Sequence, residues 1–419
     1  MYHRTTLSNG LPIVCETIPH VHSVAMGFWV ACGSRNETPR EHGISHFIEH
    51  MVFKGTARRT AKEIAEAIDA VGGQLNAITT KEYTCYYAKV LDQHIELGLE
   101  LLADMIISPL LAEEDIAKEK NVIIEEIKSY EDSPDEVVHD LFAATLLAKH
   151  PLGHPILGTP ETIGSLHRED LIDYRRRFYT PDNACLALAG NVDFAQVVKI
   201  AERHWSGLTG KKQPLDVPTA FFSEKLAVRR KDTEQVQLCL GTEGVSRNHK
   251  NKYSMLVLDS ILGGSVSSRL FQELREERGL VYSTGSHHAS YTDTGIFTVY
   301  AGTSLNNTTE VINIVRQQLD LLMQEEVRPG ELRRAKEQLK GNLWLGVENT
   351  SNRMSRLAKS ELFSGRFLTP DEVVAKIEDV TAEAVMEVAR QTFAEEKRIL
   401  AAVGPFAEYL PEAVAEWGK

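Results

Sequence analysis

The stretch Glu41–Thr56, with the sequence EHGISHFIEHMVFKGT, contains three polar residues at close spacing, His46, Glu49 and His50. After its first glycine the stretch has no helix breaker until Gly55, which predicts a short helix. At about 100° per residue, His46 and His50 lie on one face of this helix, one turn apart, with Glu49 beside them. Three apolar residues fall on the opposite face and are expected to anchor the helix in a core: Ile44, Ile48 and Met51.

This pattern is suited to binding a metal ion. Two imidazoles at this spacing can occupy two corners of a tetrahedral zinc site and leave the carboxylate close to a metal-bound water. The order His-x-x-Glu-His is the inverse of the commoner His-Glu-x-x-His and is the inverzincin signature. The alternative is an ordinary amphipathic helix with three polar residues on its solvated face, in a chain that contains 15 histidines. A third ligand is needed to decide between the two.

A third ligand is predicted in the helical segment Glu119–Tyr130. Glu119 and Glu126 lie on the apolar face of this segment, two turns apart, whereas Glu125 points to nearly the opposite side. A buried carboxylate is costly unless it is paired or binds a metal. Glutamates at the edge of a helix are also common, so that alternative stays open. Together with the two histidines, these carboxylates would form a His-His-Glu site with an open fourth position, which is typical of catalytic zinc.

Length and composition indicate a globular protein with more than one domain. The chain has 419 residues, 42% of them hydrophobic and 25% charged, and a formal net charge of −13. This charge argues against a general nucleic-acid binder or a protein that binds anionic membranes. The five cysteines are scattered, with no Cys-x-x-Cys spacing, which indicates reduced thiols. Because we find neither a signal-peptide pattern nor a run long enough for a transmembrane helix, we expect a cytoplasmic protein.

Two landmarks in the first half of the chain recur in the second half. Tyr87-Ala88, which ends a strand before a long helix, recurs as Tyr300-Ala301, 213 residues later. A strand that ends at Gly190 recurs as one that ends at Gly404, 214 residues later. The agreement predicts an internal duplication with one α+β unit in each half. The alternative is a coincidence between generic strand-turn-helix pieces.

Glycine, proline and charged residues are frequent after residue 206 and indicate a linker. We therefore predict an N-terminal domain at 1–210 that carries the histidine motif, a linker at 211–224 and a homologous C-terminal domain at 225–419.

The motif and its surroundings resemble the pitrilysin and mitochondrial processing peptidase family of zinc peptidases, in its short, two-domain bacterial type. Glu126, which follows His50 by 76 residues, is part of this resemblance. Other similar blocks extend over nearly the whole chain: Phe53–Thr56, Gly72–Ala77 with Thr79 and Thr84, Tyr179–Asn183, Gly190–Asp193, Leu262–Glu273 and Arg275–Tyr282. The resemblance implies an α+β fold of two duplicated domains, each a mostly antiparallel sheet covered by helices.

The resemblance also implies roles for the motif residues. His46, His50 and Glu126 would bind one zinc ion per subunit, and Glu49 would be the general base that acts on the metal-bound water. Glu119 matches a carboxylate that orients the ligands from behind.

Four further residues match the substrate-binding residues of the family. Asn76 and Ala77 match an edge strand that receives the substrate as an added β-strand. Arg275 and Tyr282 match a pair that reaches the active site from the C-terminal domain, where the tyrosine could stabilise the oxyanion of the tetrahedral intermediate. Without the resemblance, a helix-end arginine and a strand tyrosine would be the simpler interpretation of this pair.

We therefore predict a zinc-dependent endopeptidase that cleaves short or unfolded peptides inside a homodimeric chamber. Family members enclose the substrate between two bowl-like halves, and this chain has both the zinc motif and the Arg275/Tyr282 pair, which favours two identical subunits. Nucleic acid and membranes are not expected as partners. The first alternative is a non-catalytic structural or assembly subunit of the same fold. The second is a metal-dependent hydrolase of non-peptide substrates.

Overall fold

The computed structural model describes residues 1–148, 150–213, 225–406 and 409–417. The chain forms two compact units, and each draws on distant parts of the sequence. Unit 1 contains Met1–Lys128, His154–Val217 and Leu345–Leu368, and unit 2 contains Ser129–Gly153, Pro218–Trp344 and Thr369–Lys419. Most of the predicted linker, residues 214–224, lies outside the described residues.

Unit 1 is built on a six-stranded sheet. Its strands are β1 Tyr2–Thr6, β2 Pro12–Thr17, β3 Ser23–Val30, β4 Gln74–Thr79, β5 Thr84–Leu91 and β6 Ala184–Gly190. Its helices are α1 Ile44–Val52, α2 Ala61–Asp69, α3 Ile95–Ile107, most of α4 Glu113–Glu131, α6 Pro160–Ser165, α7 Arg168–Phe178, α8 Phe194–Trp205 and α12 Thr350–Lys359.

The strand order in this sheet is β1-β2-β6-β3-β5-β4. The pair β2/β6 is parallel and all other neighbouring pairs are antiparallel. The central strands β3 and β6 are almost wholly apolar because both of their faces are buried. β4 lies at the edge and, among the described residues, pairs only with β5.

Unit 2 is built on a five-stranded sheet. Its strands are β7 Leu226–Arg230, β8 Val236–Gly244, β9 Val281–Ser290, β10 Gly295–Thr303 and β11 Ile399–Gly404. Its helices are α5 Pro134–Leu146, α9 Lys252–Leu262, α10 Thr308–Gln324, most of α11 Pro329–Gly346, α13 Pro370–Glu378, α14 Ala382–Thr392 and α15 Glu412–Trp417, with a π-helical turn at Phe271–Glu277.

The two sheets share one topology, which confirms the predicted duplication. The order in unit 2 is β7-β11-β8-β10-β9, and the pair β7/β11 is parallel like β2/β6. The landmark Tyr87-Ala88 lies in β5 and Tyr300-Ala301 lies in the corresponding strand β10. The strands that end at Gly190 and Gly404 are the corresponding strands β6 and β11. The predicted fold class, two duplicated α+β domains with mostly antiparallel sheets, is therefore confirmed.

Each sheet has a second apolar face that is covered by a helix from the other half of the chain. In unit 1, α12 covers it, and the Trp29 indole Nε1 donates to Met354 Sδ at 3.1 Å. In unit 2, α5 covers the corresponding face, where Phe142 packs with Cys239 and Ala401. The predicted boundaries at residues 210 and 225 assign α5 to the first domain and α12 to the second, whereas the compact units place them the other way. The physical reason is the demand of each exposed apolar face for cover.

Two predictions about the chain as a whole can be compared with the structure. All five cysteines are unpaired and buried, as their scattered spacing predicted. Of the helices formed by the described residues, none is both long enough and apolar enough to cross a membrane.

Candidate metal centre

Helix α1 positions the histidine motif by burying its opposite face. Ile44, Ile48 and Met51 are fully buried in the core of unit 1, as predicted. His46 and His50 therefore emerge together on the other side, with ring centroids 4.5 Å apart. This places two imidazoles within reach of one ion.

The start of α1 is fixed by contacts that the sequence analysis did not identify. Gly43 precedes the helix with a φ of +91°, and the Glu37 carboxylate accepts hydrogen bonds from the backbone N–H groups of Gly43 and Ser45, both at 2.9 Å. These bonds satisfy N–H groups that have no partner within the helix. The orientation of the histidines thus depends on a buried carboxylate several residues upstream.

Helix α4 brings Glu126 to the two histidines. Glu126 Oε2 lies 3.8 Å from His46 Nε2 and 3.7 Å from His50 Nε2. Four ligands at zinc distances of about 2.1 Å would be about 3.4 Å apart, so these separations are close to those of a zinc site. Among the residues that the structure describes, these are the one set of at least three His, Cys, Asp or Glu side chains whose ligand atoms meet in this way. The donor set therefore fits zinc.

Burial of the three ligands differs from the prediction for Glu126. Glu119 is buried, as its place on the apolar face of α4 predicted, but the Glu126 side chain is 44% exposed. Glu126 lies at the edge of that face, where its carboxylate meets both the histidines and solvent. Glu125 points away, as predicted, and forms an exposed ion pair with Lys128.

The electrostatic environment favours the neutral form of one histidine. Burial, followed by the neighbouring His50, lowers the pKa of His46 to about 4. His46 is therefore neutral at pH 7, which is the form that binds a metal.

Glu49 lies on the same face of α1 and is held by the end of the edge strand. The Thr79 hydroxyl donates a hydrogen bond to Glu49 Oε2. Burial raises the pKa of the Glu49 carboxyl, and the hydrogen bond from Thr79 opposes this rise. A carboxylate of raised pKa beside the ligand atoms has the properties of a general base. The sequence analysis noted Thr79 as part of a block but assigned it no role.

Glu119 lies behind His50. Its Oε2 atom is 3.1 Å from His50 Nδ1, and its Oε1 atom is 2.6 Å from Lys54 Nζ. The contact with Nδ1 leaves Nε2 of His50 facing Glu126. The sequence analysis anticipated Glu119 but not Lys54. The available signal was the position of Lys54, four residues after His50 and close to the same helix face.

The predicted substrate strand is the edge strand β4. Asn76 is exposed and Ala77 is half-buried, and Asn76 Oδ1 accepts a hydrogen bond from the Ala77 N–H at 2.8 Å. A cleft of about 520 Å³ runs beside this strand and is lined by residues of α2 and β4, including Ile64, Ile68 and Leu75. The edge strand therefore borders an open, partly apolar groove.

The predicted Arg/Tyr pair comes together in unit 2. Arg275 lies in the π-helical turn, and its guanidinium carbon is 5.6 Å from the Tyr282 ring centroid and 5.1 Å from that of Phe271. Tyr282, near the start of β9, is 74% exposed. The arginine thus orders a tyrosine whose ring remains accessible.

Comparisons with known proteins point to one family. Residues 12–160 match the model of the insulinase family, peptidase family M16, and residues 165–339 match a model described as the peptidase M16 inactive domain. The uncharacterized zinc protease YmxG of Bacillus subtilis is 47% identical over 94% of this chain and 97% of its own length. An uncharacterized zinc protease of Streptomyces coelicolor is 41% identical over 98% of this chain and 92% of its own length.

Solved structures show the same fold. A protease from Helicobacter pylori superimposes with a TM-score of 0.89 at 24% identity and covers 97% of this chain and 99% of its own. A structure from Pseudomonas fluorescens, titled as a peptidase M16 inactive domain, has a TM-score of 0.91 at 18% identity and covers 98% of this chain and 100% of its own.

Proposed function

Because this chain belongs to the insulinase family, peptidase family M16, we propose that it is a zinc-dependent endopeptidase that cleaves short or unfolded peptides. The observation that carries the proposal is the convergence of His46, His50 and Glu126 ligand atoms with the Glu49 carboxylate on the same helix face. Three protein ligands with an open fourth position are typical of catalytic zinc sites. The relatives named zinc proteases support the choice of metal.

In the proposed mechanism, a zinc ion held by His46, His50 and Glu126 supplies Lewis acidity that polarises the scissile carbonyl and activates water. Glu49 accepts a proton from the attacking water and then delivers a proton to the departing amine. Thr79 fixes the Glu49 carboxylate, since its hydroxyl donates to Oε2. Glu119 keeps the hydrogen of His50 on Nδ1, so that Nε2 is available to the metal.

Substrate would bind as an additional strand along β4. Its outer edge has no strand partner among the described residues, and the adjoining cleft offers apolar surface for alternate side chains. Backbone hydrogen bonds to Asn76 and Ala77 would then supply affinity with little demand on sequence. This mode requires an extended substrate, which a folded domain does not provide.

Arg275 and Tyr282 would take part in catalysis from unit 2, with the exposed Tyr282 hydroxyl as donor to the developing oxyanion. We further propose that two copies of the chain form the working enzyme, and that it acts in the cytoplasm. The five unpaired thiols support a reducing compartment.

A non-catalytic assembly subunit of the same fold is the second candidate, and the match to an inactive-domain model favours it. That match covers residues 165–339, however, whereas all metal-centre residues lie within the segment 12–160 that matches the peptidase model. The ligand set therefore favours an enzyme.

The test is digestion of a mixed peptide library by purified protein, with and without a chelator, read by mass spectrometry. We expect internal cleavage that the chelator abolishes and that added zinc restores. The matched variant His50→Ala should lose both zinc and cleavage. Bound zinc without any cleavage would favour the assembly subunit, and cleavage that is insensitive to chelation would contradict a metal mechanism.

A further inference from the structure

We propose that Lys54 is a positioning residue of the metal centre: its ammonium group holds the Glu119 carboxylate against His50 and so sets which nitrogen of His50 faces the metal. This inference rests on the proposed function, because it takes His50 to be a metal ligand. It adds a residue to which no role has been assigned so far.

The contacts form a chain from Lys54 to the ligand. Lys54 Nζ lies 2.6 Å from Glu119 Oε1, and Glu119 Oε2 lies 3.1 Å from His50 Nδ1. A carboxylate only accepts hydrogen bonds, so Nδ1 must donate and Nε2 keeps its lone pair. His50 Nε2 is the atom that lies 3.7 Å from Glu126 Oε2, at the candidate metal position.

Glu119 depends on both of these partners. Its side chain is only 7% exposed, and among the described residues His50 and Lys54 are its only side-chain partners. One oxygen is held by each partner, so the carboxylate cannot rotate away from His50. A buried carboxylate that loses one of two partners is strongly destabilised in that position.

Lys54 also ties two elements together. Its backbone N–H donates to the Met51 carbonyl at 3.2 Å, which fixes Lys54 to the last turn of α1. Its side chain reaches Glu119 on α4, the helix that also supplies Glu126. The ion pair therefore links the helix with two ligands to the helix with the third.

The other histidine has no such chain. Among the described residues, His46 Nδ1 is buried without a hydrogen-bond partner. Its orientation must come from packing within α1 and the core. Loss of Lys54 should therefore disturb one ligand selectively and leave the other two in place.

The two possible effects of Lys54 on zinc have opposite signs. As a positive charge close to the site, Lys54 repels a divalent cation, so its removal alone would tighten zinc binding. As the anchor of Glu119, it orients His50, so its removal should weaken zinc binding. Partners of this kind behind a ligand typically contribute about 10–100-fold in metal affinity.

The experiment measures the zinc dissociation constant of the metal-free protein by competition with a chromophoric chelator. We expect Lys54→Met to bind zinc about tenfold more weakly than the wild type. The matched control is Lys118→Met, on α4 directly before Glu119, whose ammonium pairs with Asp115 at 3.3 Å and is 68% exposed. This control removes the same charge nearby and should stay within about twofold of the wild type.

A double-mutant cycle tests the route through Glu119. Glu119→Gln should weaken zinc binding by itself, and adding Lys54→Met in that background should change the constant by less than about twofold. Lys54→Arg, which keeps the cation, should stay within about threefold of the wild type. If Lys54→Met does not fold, the contrast between Lys54→Arg and Lys54→Gln gives the same answer.

Two outcomes overturn the proposal: zinc binding by Lys54→Met that equals or exceeds the wild type, or an equal loss in the presence and absence of the Glu119 carboxylate. The result also separates this inference from the proposed function. If the wild type binds no zinc, or His50→Ala binds it as the wild type does, the metal centre itself is refuted. If His50→Ala loses zinc while Lys54→Met does not, only the positioning role fails.

Discussion

Glu49 and Glu119 are glutamates close to the same two histidines, and their partners give them different tasks. Both oxygens of Glu119 are engaged, one by the Lys54 ammonium and one by His50. Glu49 is instead held by the neutral hydroxyl of Thr79. A neutral partner leaves the carboxylate available to take up a proton, whereas a cation and an imidazole N–H hold it as an anchor. The division between base and anchor is therefore a property of neighbours and not of residue type.

The role of Glu49 can be separated from the role of the ligands. Glu49→Gln removes the base and keeps the shape of the side chain, so we expect zinc to remain stoichiometric while peptide turnover falls by about 10²–10⁴-fold. Glu126→Gln removes a ligand and should lower zinc affinity as well. Metal analysis and steady-state kinetics on the same preparations make the comparison. Wild-type turnover by Glu49→Gln would show that another group is the base.

His288 gives a prediction about pH and stability in unit 2. Its Nε2 accepts a hydrogen bond from the Val245 N–H at 3.1 Å, and a Cβ atom on Gly244 would lie 2.6 Å from the ring. Burial, with a further contribution from His287, lowers the pKa of His288 to about 4. The unfolded chain, with a histidine pKa of about 6.5, takes up the proton first as the pH falls. Stability from this residue is therefore complete above about pH 6.5 and is lost between about pH 6.5 and 4.

His288→Gln keeps an acceptor for the Val245 N–H and does not titrate. Between pH 7 and 4.5 we expect the free energy of unfolding of the wild type to fall by about 2 kcal/mol more than that of this variant. Denaturant unfolding at both pH values gives the comparison. His287→Gln, on the exposed neighbouring side chain, should behave like the wild type. Parallel losses in the wild type and His288→Gln would contradict the burial argument.

At the scale of elements, the start of α1 connects backbone geometry to the metal centre. Gly43 has a φ of +91°, and a Cβ atom there would lie 2.7 Å from the Leu157 carbonyl oxygen and 2.6 Å from Ile163 Cδ1. A side chain at this position is thus opposed by both conformation and space. Because α1 begins at the next residue, any shift at Gly43 moves both histidines relative to Glu126.

We expect Gly43→Ala to lower the free energy of unfolding by about 1–3 kcal/mol and to weaken zinc binding. The matched control is Gly164→Ala in α6, where the added methyl group meets nothing within 4 Å and φ is not positive. This control should leave zinc binding unchanged and stability unchanged or slightly higher. Denaturant unfolding and chelator competition measure the two effects, and equal behaviour of the two variants would contradict a special role for Gly43.

At the scale of the whole molecule, the duplicated units carry different candidate groups. Unit 1 holds the metal ligands and the open edge of β4, and unit 2 holds the exposed Tyr282 with Arg275. The proposed substrate mode depends on the extended shape of β4. We therefore expect flexible peptides to be cleaved rapidly and a tightly folded domain to be resistant, with the same domain becoming a substrate after unfolding. Rapid internal cleavage of the native domain would count against strand addition.

The proposed homodimer predicts complementation between two inactive variants. If Arg275 and Tyr282 of one subunit complete the zinc site of the other, mixing Glu49→Gln with Tyr282→Phe should restore activity, because one site in each mixed dimer then has both intact sets. At most one of the two sites recovers, so the expected rate is about half that of the wild type. Subunit exchange must be verified with two affinity tags. Verified mixed dimers that stay as inactive as either parent would show that the site is built within one chain.

The sequence by itself determined the features that depend on near neighbours in the chain. The spacing of His46, Glu49 and His50 on a helix follows from the 3.6-residue period, and the buried residues of α1 are those that the period predicts. The duplication was visible because corresponding strands carry corresponding sequence landmarks, and the resemblance led to Glu126 because the block around it extends along the chain. Each of these inferences needs only local geometry or sequence similarity.

The tertiary structure alone decided which distant side chains share an environment. Periodicity placed Glu119 and Glu126 on one face of α4, but it could not show that one is buried against Lys54 and the other exposed beside the histidines. It also gave no sign that α5 and α12 each cover the sheet of the opposite unit. The physical reason is that a helical or strand period records which side of an element faces a core, whereas the partner that fills that core is selected by packing between segments far apart in the chain.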